Sequence, residues 1–273
     1  MVLRHDRAGV LAVGQASHAW LCGQLARAWG NERFGAVEPL HEVALGAEQH
    51  DVGMARWDLS PARNLETGLP QSFMEMGAAA NAGLWSAGPR RLVTQSRYAA
   101  LLAIKHGRRL YEGFDPAGAA AADAEAVAGF LDQARELERS LLASLRSDPL
   151  TAPHAAPEVV ARNSQLVWTW DLISLSLLLD WAPLKLESVP SADEGAAVDV
   201  ALDAVTGPEA DSFGPAPVAS LDPWPFRTPT VRLHCEGRRL SKRFDSDAAL
   251  AAGLAQAPWE TVEFALVAGG GQA

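Results

Sequence analysis

Four stretches of this chain repeat apolar residues at the helical period of about 3.6, and each sets a metal-competent side chain inside its apolar stripe. After Ser17, a candidate N-cap, His18, Leu21, Cys22, Leu25 and Trp29 share one face. Residues 39–56 carry Val43, Ala47, His50, Asp51 and Met54 at matching intervals. Residues 96–111 align Ala99, Leu102, Ala103, His106 and Leu110, and a helix that starts after Pro157 and stops before Pro183 aligns Val167, Trp168, Asp171, Leu175 and Leu178. A buried imidazole or carboxylate is costly unless it is paired or binds a metal. Any one of these residues alone is the sort that packs as a hydrogen-bonded core side chain. Convergence of the four faces is what points to a cage of nitrogen and oxygen donors: His18, His50, Asp51, His106 and Asp171. Such a mixture suits Mn, Fe, Co, Ni or Zn, as one ion or two, and disfavours calcium.

The remaining chain supplies less regular signals. Two short apolar runs, residues 2–4 and 10–13, joined through Asp6-Arg7-Ala8-Gly9, predict an N-terminal hairpin. Residues 59–73, with Pro61, Gly68 and Pro70, predict an irregular loop, a candidate pocket wall flanked by Trp57 and Phe73. Residues 115–123 predict a linker and 124–146 an amphipathic helix. Residues 187–219 are acidic, rich in Pro, Gly and Ala and without periodicity, which predicts a long loop or tether. Beyond them the pattern predicts strands over 231–235 and 238–244 about a turn at Glu236-Gly237, a helix over 247–256, a strand over 260–267 and a mobile glycine tail at 269–271.

The expected fold is therefore mainly α: a helical bundle over residues 1–185 that includes the hairpin, an acidic loop over 186–219, and a small β appendage over 220–269 that pairs with the hairpin.

Composition narrows the partners. With 33 acidic against 23 basic residues the formal net charge is -10, which disfavours nucleic acid and anionic membrane surfaces and leaves a small molecule as the expected partner. The two cysteines, Cys22 and Cys235, have no CxxC spacing and imply no disulfide framework. No signal-peptide pattern follows the charged residues 1–7, and the apolar run 172–179 between Asp171 and Asp180 is too short to span a bilayer, so the expected location is cytoplasmic. Oligomeric state leaves no mark in the sequence.

Competing motifs fall away on inspection. His41-Glu42-Val43-Ala44-Leu45 opens like a zincin helix but has Leu45 in place of the second histidine. No Walker loop, GxSxG elbow or Rossmann glycine pattern occurs. A second His-Asp dipeptide, His5-Asp6, sits in the hairpin without helical partners. Glu48, just before the pair, is assigned to the exposed helix face.

The order His18, His50-Asp51, Asp171, with the string His50-Asp51-Val52-Gly53, resembles the H...HD...D signature of the HD-domain superfamily of metal-dependent phosphohydrolases. The strings Gln15-Ala16-Ser17-His18, His50-Asp51-Val52-Gly53-Met54-Ala55-Arg56-Trp57-Asp58, Gly68-Leu69-Pro70-Gln71-Ser72-Phe73 and Pro223-Trp224-Pro225-Phe226 resemble a bacterial family of unknown function, domain of unknown function 3891. These resemblances imply an HD-like helical bundle and a divalent-metal-dependent hydrolase of a small phosphate ester or nucleotide. In that reading Asp51 is the catalytic carboxylate, and Arg56, Trp57, Arg97 and Lys105 are the candidates for holding a phosphorylated substrate. Two other classes stay open: a di-iron oxygenase on the HD fold, with His106 completing a second site, and a non-catalytic HD-fold sensor or scaffold.

Overall fold

The hairpin forms where the sequence predicts it, as β1 (Val2–Asp6) and β2 (Gly9–Val13). Asp6 accepts a hydrogen bond from the Ala8 amide across the turn, and Gly9 adopts φ 126°, a conformation suited to glycine. These coordinates are a computed structural model that describes residues 1–270; the tail expected to be mobile reaches Gly271, outside the described residues.

Helix α1 (Gln15–Ala28) begins two residues before the candidate cap. Ser17 lies in its first turn, where the hydroxyl donates to the Glu236 carbonyl and accepts from the Glu236 amide. The helical pattern over 39–56 is broken in the middle: α2 (Leu40–Gln49) stops, a 3-10 turn covers Val52–Met54, and α3 (Ala55–Leu59) follows. Two contacts explain the break. His50 donates from Nδ1 to the Ala47 carbonyl at 2.7 Å, taking the acceptor that a continuing α-helix would use. Gly53 then lies against the backbone of α4 (Ala78–Leu92), with the facing Gly88. A Cβ on Gly53 would sit 2.4 Å from the Leu84 carbonyl oxygen, so Gly53→Ala is expected to cost about 1–3 kcal/mol, read as a lowered midpoint in urea unfolding.

Helix α4 has no counterpart in the sequence reading, because Gly83, Gly88 and Pro89 break up its pattern. Its first turn is held by Asp123, whose carboxylate accepts from the Ala79 amide. Asp123 itself belongs to α6 (Ala121–Arg146), which starts inside the expected linker. Between them, α5 (Arg97–Arg109) is capped by Ser96, which accepts from the Ala99 amide. Helix α7 (Pro157–Leu179) opens on proline and closes at Asp180 in the left-handed region. No helix among the described residues is long and apolar enough to cross a membrane.

The expectation of a mainly α HD-like bundle with a small β appendage is overturned by the rest of the chain. After α7 come β3 (Leu184–Pro190), β4 (Ala197–Val205), a short α8 (Pro208–Asp211), β5 (Val218–Asp222), β6 (Thr230–Leu240), α9 (Asp247–Gln256) and β7 (Trp259–Ala268). They join the hairpin in one seven-stranded sheet of order β1-β2-β6-β7-β5-β4-β3, antiparallel except for the β5–β7 pair. The hairpin does meet the C-terminal strands, through β2 and β6, but as one end of a major layer.

Residues 187–219, expected to be a tether, hold most of β3, all of β4 and the start of β5. In β4, Val200 and Leu202 are buried while Asp199 and Asp203 face out, a period-2 pattern that the acidic, alanine-rich composition hides. The turn expected at Glu236-Gly237 is the middle of a continuous strand. Gly237 is there because Leu11 and Val13 of β2 leave no room for a side chain: a Cβ would lie 2.8 Å from Leu11.

One main core lies between sheet and helices, with Leu11, Leu202, Leu233 and Phe264 packed among Leu21, Leu25, Leu101, Trp170 and Leu178. On the opposite face α9 covers Val10, Ala12 and Leu240 through Leu250 and Leu254. The sheet is thus a structural wall behind α1 and α7, two of the helices that carry the candidate ligands.

Candidate metal centre

Helices α1, α5 and α7 and the C-terminal end of α2 bring His18, His50, Asp51, His106 and Asp171 together in the interior, each 6% exposed or less. His18 Nε2 lies 3.0 Å from Asp51 Oδ2 and 3.4 Å from Asp171 Oδ1. His50 Nε2 lies 3.4 Å from the same Asp171 oxygen and 3.6 Å from Asp51 Oδ2, without a hydrogen bond to either. His106 Nε2 is 3.7 Å from Asp171 Oδ2, and its ring is 4.5 Å from that of His50.

The groups behind the imidazoles fix which nitrogen is free. His50 Nδ1 can only donate to the Ala47 carbonyl, which leaves a lone pair on Nε2 of the neutral ring. His18 Nδ1 is 2.8 Å from the Ser174 hydroxyl, whose own proton goes to the Asp171 carbonyl at 2.9 Å. Ser174 therefore accepts from His18, and it accepts from the Cys22 thiol as well. His18 Nε2 is hydrogen-bonded to Asp51 Oδ2 and His50 Nε2 faces Asp171 without a hydrogen bond, so both Nε2 atoms are turned to carboxylate oxygens, with a proton or a metal ion as the cation that holds them together.

Electrostatics agree. Burial disfavours a charged His50, but Asp51 and Asp171 outweigh it and raise its pKa to about 9. Asp51 and Asp171 are held below the ordinary carboxylate range, since the surrounding histidines outweigh the cost of burying them. His106, disfavoured by burial and then by His50, falls to about 4 and is neutral. Without metal, His50 thus carries the compensating proton. With its pKa raised from 6.5 to about 9, that ion pairing contributes fully below pH 6.5 and is lost as pH rises through 9. The rise in Tm on adding a divalent cation is expected to grow across the same window, because the proton no longer competes; differential scanning fluorimetry checks this.

Three triads have donor atoms close enough to share an ion: His18, His50 and Asp51; His50, His106 and Asp171; and His18, Cys22 and Asp171. The first two share His50, and with Nδ1 engaged its Nε2 serves one ion at a time. Cys22, placed on the same face as His18, and Ser174 were given no role in the cluster from the sequence. Cys22 stands one turn from His18, and Ser174 the same from Asp171, a spacing that could have revealed them.

The other sequence candidates are spread wider. Arg56 is exposed on α3, and Trp57 packs into a second apolar cluster with Met54 and Trp85. Arg97 bonds Ser144 of α6 and Asp148 just past its end, while Lys105 pairs with Glu138 of α6 at 2.9 Å, so both cations are engaged outside the cluster. Phe73 packs on the main core. Glu48 pairs with Arg27 at 2.6 Å, and His5 and His41 are exposed. An open cleft of about 820 Å³ lies between the first turns of α7 and the β3–β4 connection; none of the five cluster residues lines it.

Fold and site together define a protein of helices packed on one mixed, mostly antiparallel sheet, whose helical layer holds a buried His/Asp/Cys cluster able to bind a metal ion. The chain belongs to the family described as Protein of unknown function (DUF3891), whose model matches residues 1–242. No curated protein and no solved structure matches it.

Proposed function

We propose that this protein is a divalent-metal-dependent hydrolase of a small phosphate ester or nucleotide, with His18, His50, Asp51 and Asp171 as the ion's ligands. The observation that carries the reading is the pair of imidazole Nε2 atoms aimed at two buried carboxylates, each ring fixed from behind at Nδ1. The order of these residues resembles the HD signature, and that likeness favours phosphoester hydrolysis among the uses of such an ion.

When bound, the cation supplies Lewis acidity, acidifying water and polarising a phosphoryl oxygen. Asp51, kept ionised by its histidine neighbours, is the catalytic carboxylate that orients the attacking water. The Asp171 carboxylate lies 3.4 Å from His18 and His50 and 3.7 Å from His106, within reach of all three rings. His106, neutral, offers a ring N–H to a substrate oxygen. Arg56, an exposed cation on the segment after the pair, is the remaining sequence candidate for neutralising substrate charge.

The free, buried cysteines fit a reducing cytoplasm, and the net charge of -10 favours a small molecule over nucleic acid or membrane as partner. His106, 3.7 Å from Asp171, supports a second reading, a two-ion or di-iron centre. Metal analysis with visible spectroscopy, followed by a phosphatase and nucleotide panel, tests these readings. Turnover that chelation abolishes and Mn or Co restores is the expected result. Two irons with a charge-transfer band would favour an oxygenase, and no affinity for Mn or Co would leave a scaffold.

A further inference from the structure

Arg109 is the last residue of α5, one turn beyond His106 and on the same face. Its guanidinium carbon lies 4.2 Å above the Trp168 ring, and that ring is 5.3 Å from the His106 ring. Arg109 also donates to Gln165 Oε1 at 2.6 Å. Its half-buried charge, disfavoured by burial, has no carboxylate pair among the described residues; Glu112 acts on it only at a distance. The neighbouring cations of α5 differ: Lys105 and Arg108 share Glu138 as an ion-pair partner, and Arg97 pairs with Asp148.

An aromatic platform and an amide thus hold a planar, unneutralised cation one ring outside the ligand cluster. Stacking leaves the in-plane N–H groups not used by Gln165 available to an anion, the geometry in which arginine recognises phosphate or carboxylate. Asp171, Trp168 and Gln165 succeed one another along α7, and Gln165, the amide that holds Arg109, also lines the 820 Å³ cleft.

We propose that Arg109, presented on Trp168, is the anion-recognising group of this centre, and that its substrate carries a second anionic group besides the one at the metal. This inference rests on the metal-dependent reading above. A cation at the C-terminal end of a helix also has a purely structural use, favouring the helix dipole, and the test must separate the two.

The experiment uses full-length protein loaded with Mn(II) and freed of excess metal, titrated calorimetrically with methylphosphonate, methylenediphosphonate and phosphonoacetate. Wild type is expected to bind at least one of the two-anion probes tenfold or more tightly than methylphosphonate, and the better of the two identifies the second group as phosphate or carboxylate. R109M should abolish that preference and leave methylphosphonate affinity and Mn content unchanged. R109K keeps a cation at the helix end but loses the planar stack, so it should retain the Tm and lose most of the preference. Full preference in R109M or R109K, or none in wild type, overturns the inference while Mn content shows the centre intact. Wild type that holds no Mn overturns the metal reading and this inference together.

Discussion

His50→Ala and Asp51→Asn are each expected to yield a folded protein that no longer retains a divalent cation, read by metal analysis after gel filtration. Each side chain contributes a donor atom to the cluster and little to the apolar core, so the helices survive the change. Asp171→Asn should behave in the same way, since Asp171 touches all three imidazoles. A graded result discriminates further. Ser174→Ala removes only the partner that orients His18, and loss of an outer partner of this kind costs about 10–100-fold in metal affinity, short of abolition. His5→Ala, in the exposed second His-Asp dipeptide, should change nothing and serves as the control. Undiminished metal in the His50 and Asp51 variants would sink the site.

The second large effect concerns the sheet. A chain ended at residue 242, where the family match stops, is expected not to fold, because β7 lies between β5 and β6 and pairs with both. Its Phe264, Ala265 and Leu266 are fully buried, and their loss opens the core on which α1 and α7 rest. The milder Phe264→Ala should cost about 3–5 kcal/mol, a large share of the roughly 5–15 kcal/mol that holds a domain together. Urea unfolding followed by circular dichroism measures both. A truncated chain with a cooperative transition and an undiminished m value would show that β7 is dispensable.

The helices were legible because their signal is local: His18 with Leu21 and Leu25, or Asp171 with Leu175 and Leu178, declare a buried face within a few turns. The same periodicity misled at 39–56, where an unbroken apolar stripe conceals the stop that His50 imposes on α2 by bonding Ala47. The sheet was legible only in part. β1, β2 and β7 have runs of apolar residues, whereas β4 spends its outward positions on acids and alanines and passes for a tether. Gly237 signals a turn by composition and a close strand approach by structure, and only the neighbour Leu11 distinguishes them.

By itself, then, the sequence determined that His18, His106 and Asp171 ride on inward helix faces, because burial of a polar group in an apolar stripe is a local, periodic fact, while His50 and Asp51, expected on the same kind of face, stand in the turn just past α2. The tertiary structure alone decided three things: that the strands join in one seven-stranded wall, that Ser174 and Ala47 engage the Nδ1 atoms and turn both Nε2 atoms toward the carboxylates, and that Arg97 and Lys105 pair with Asp148 and Glu138 while Arg109 has no carboxylate pair among the described residues. Each of these depends on partners far away in the chain, and neither strand register nor the company of a charge is written in local spacing.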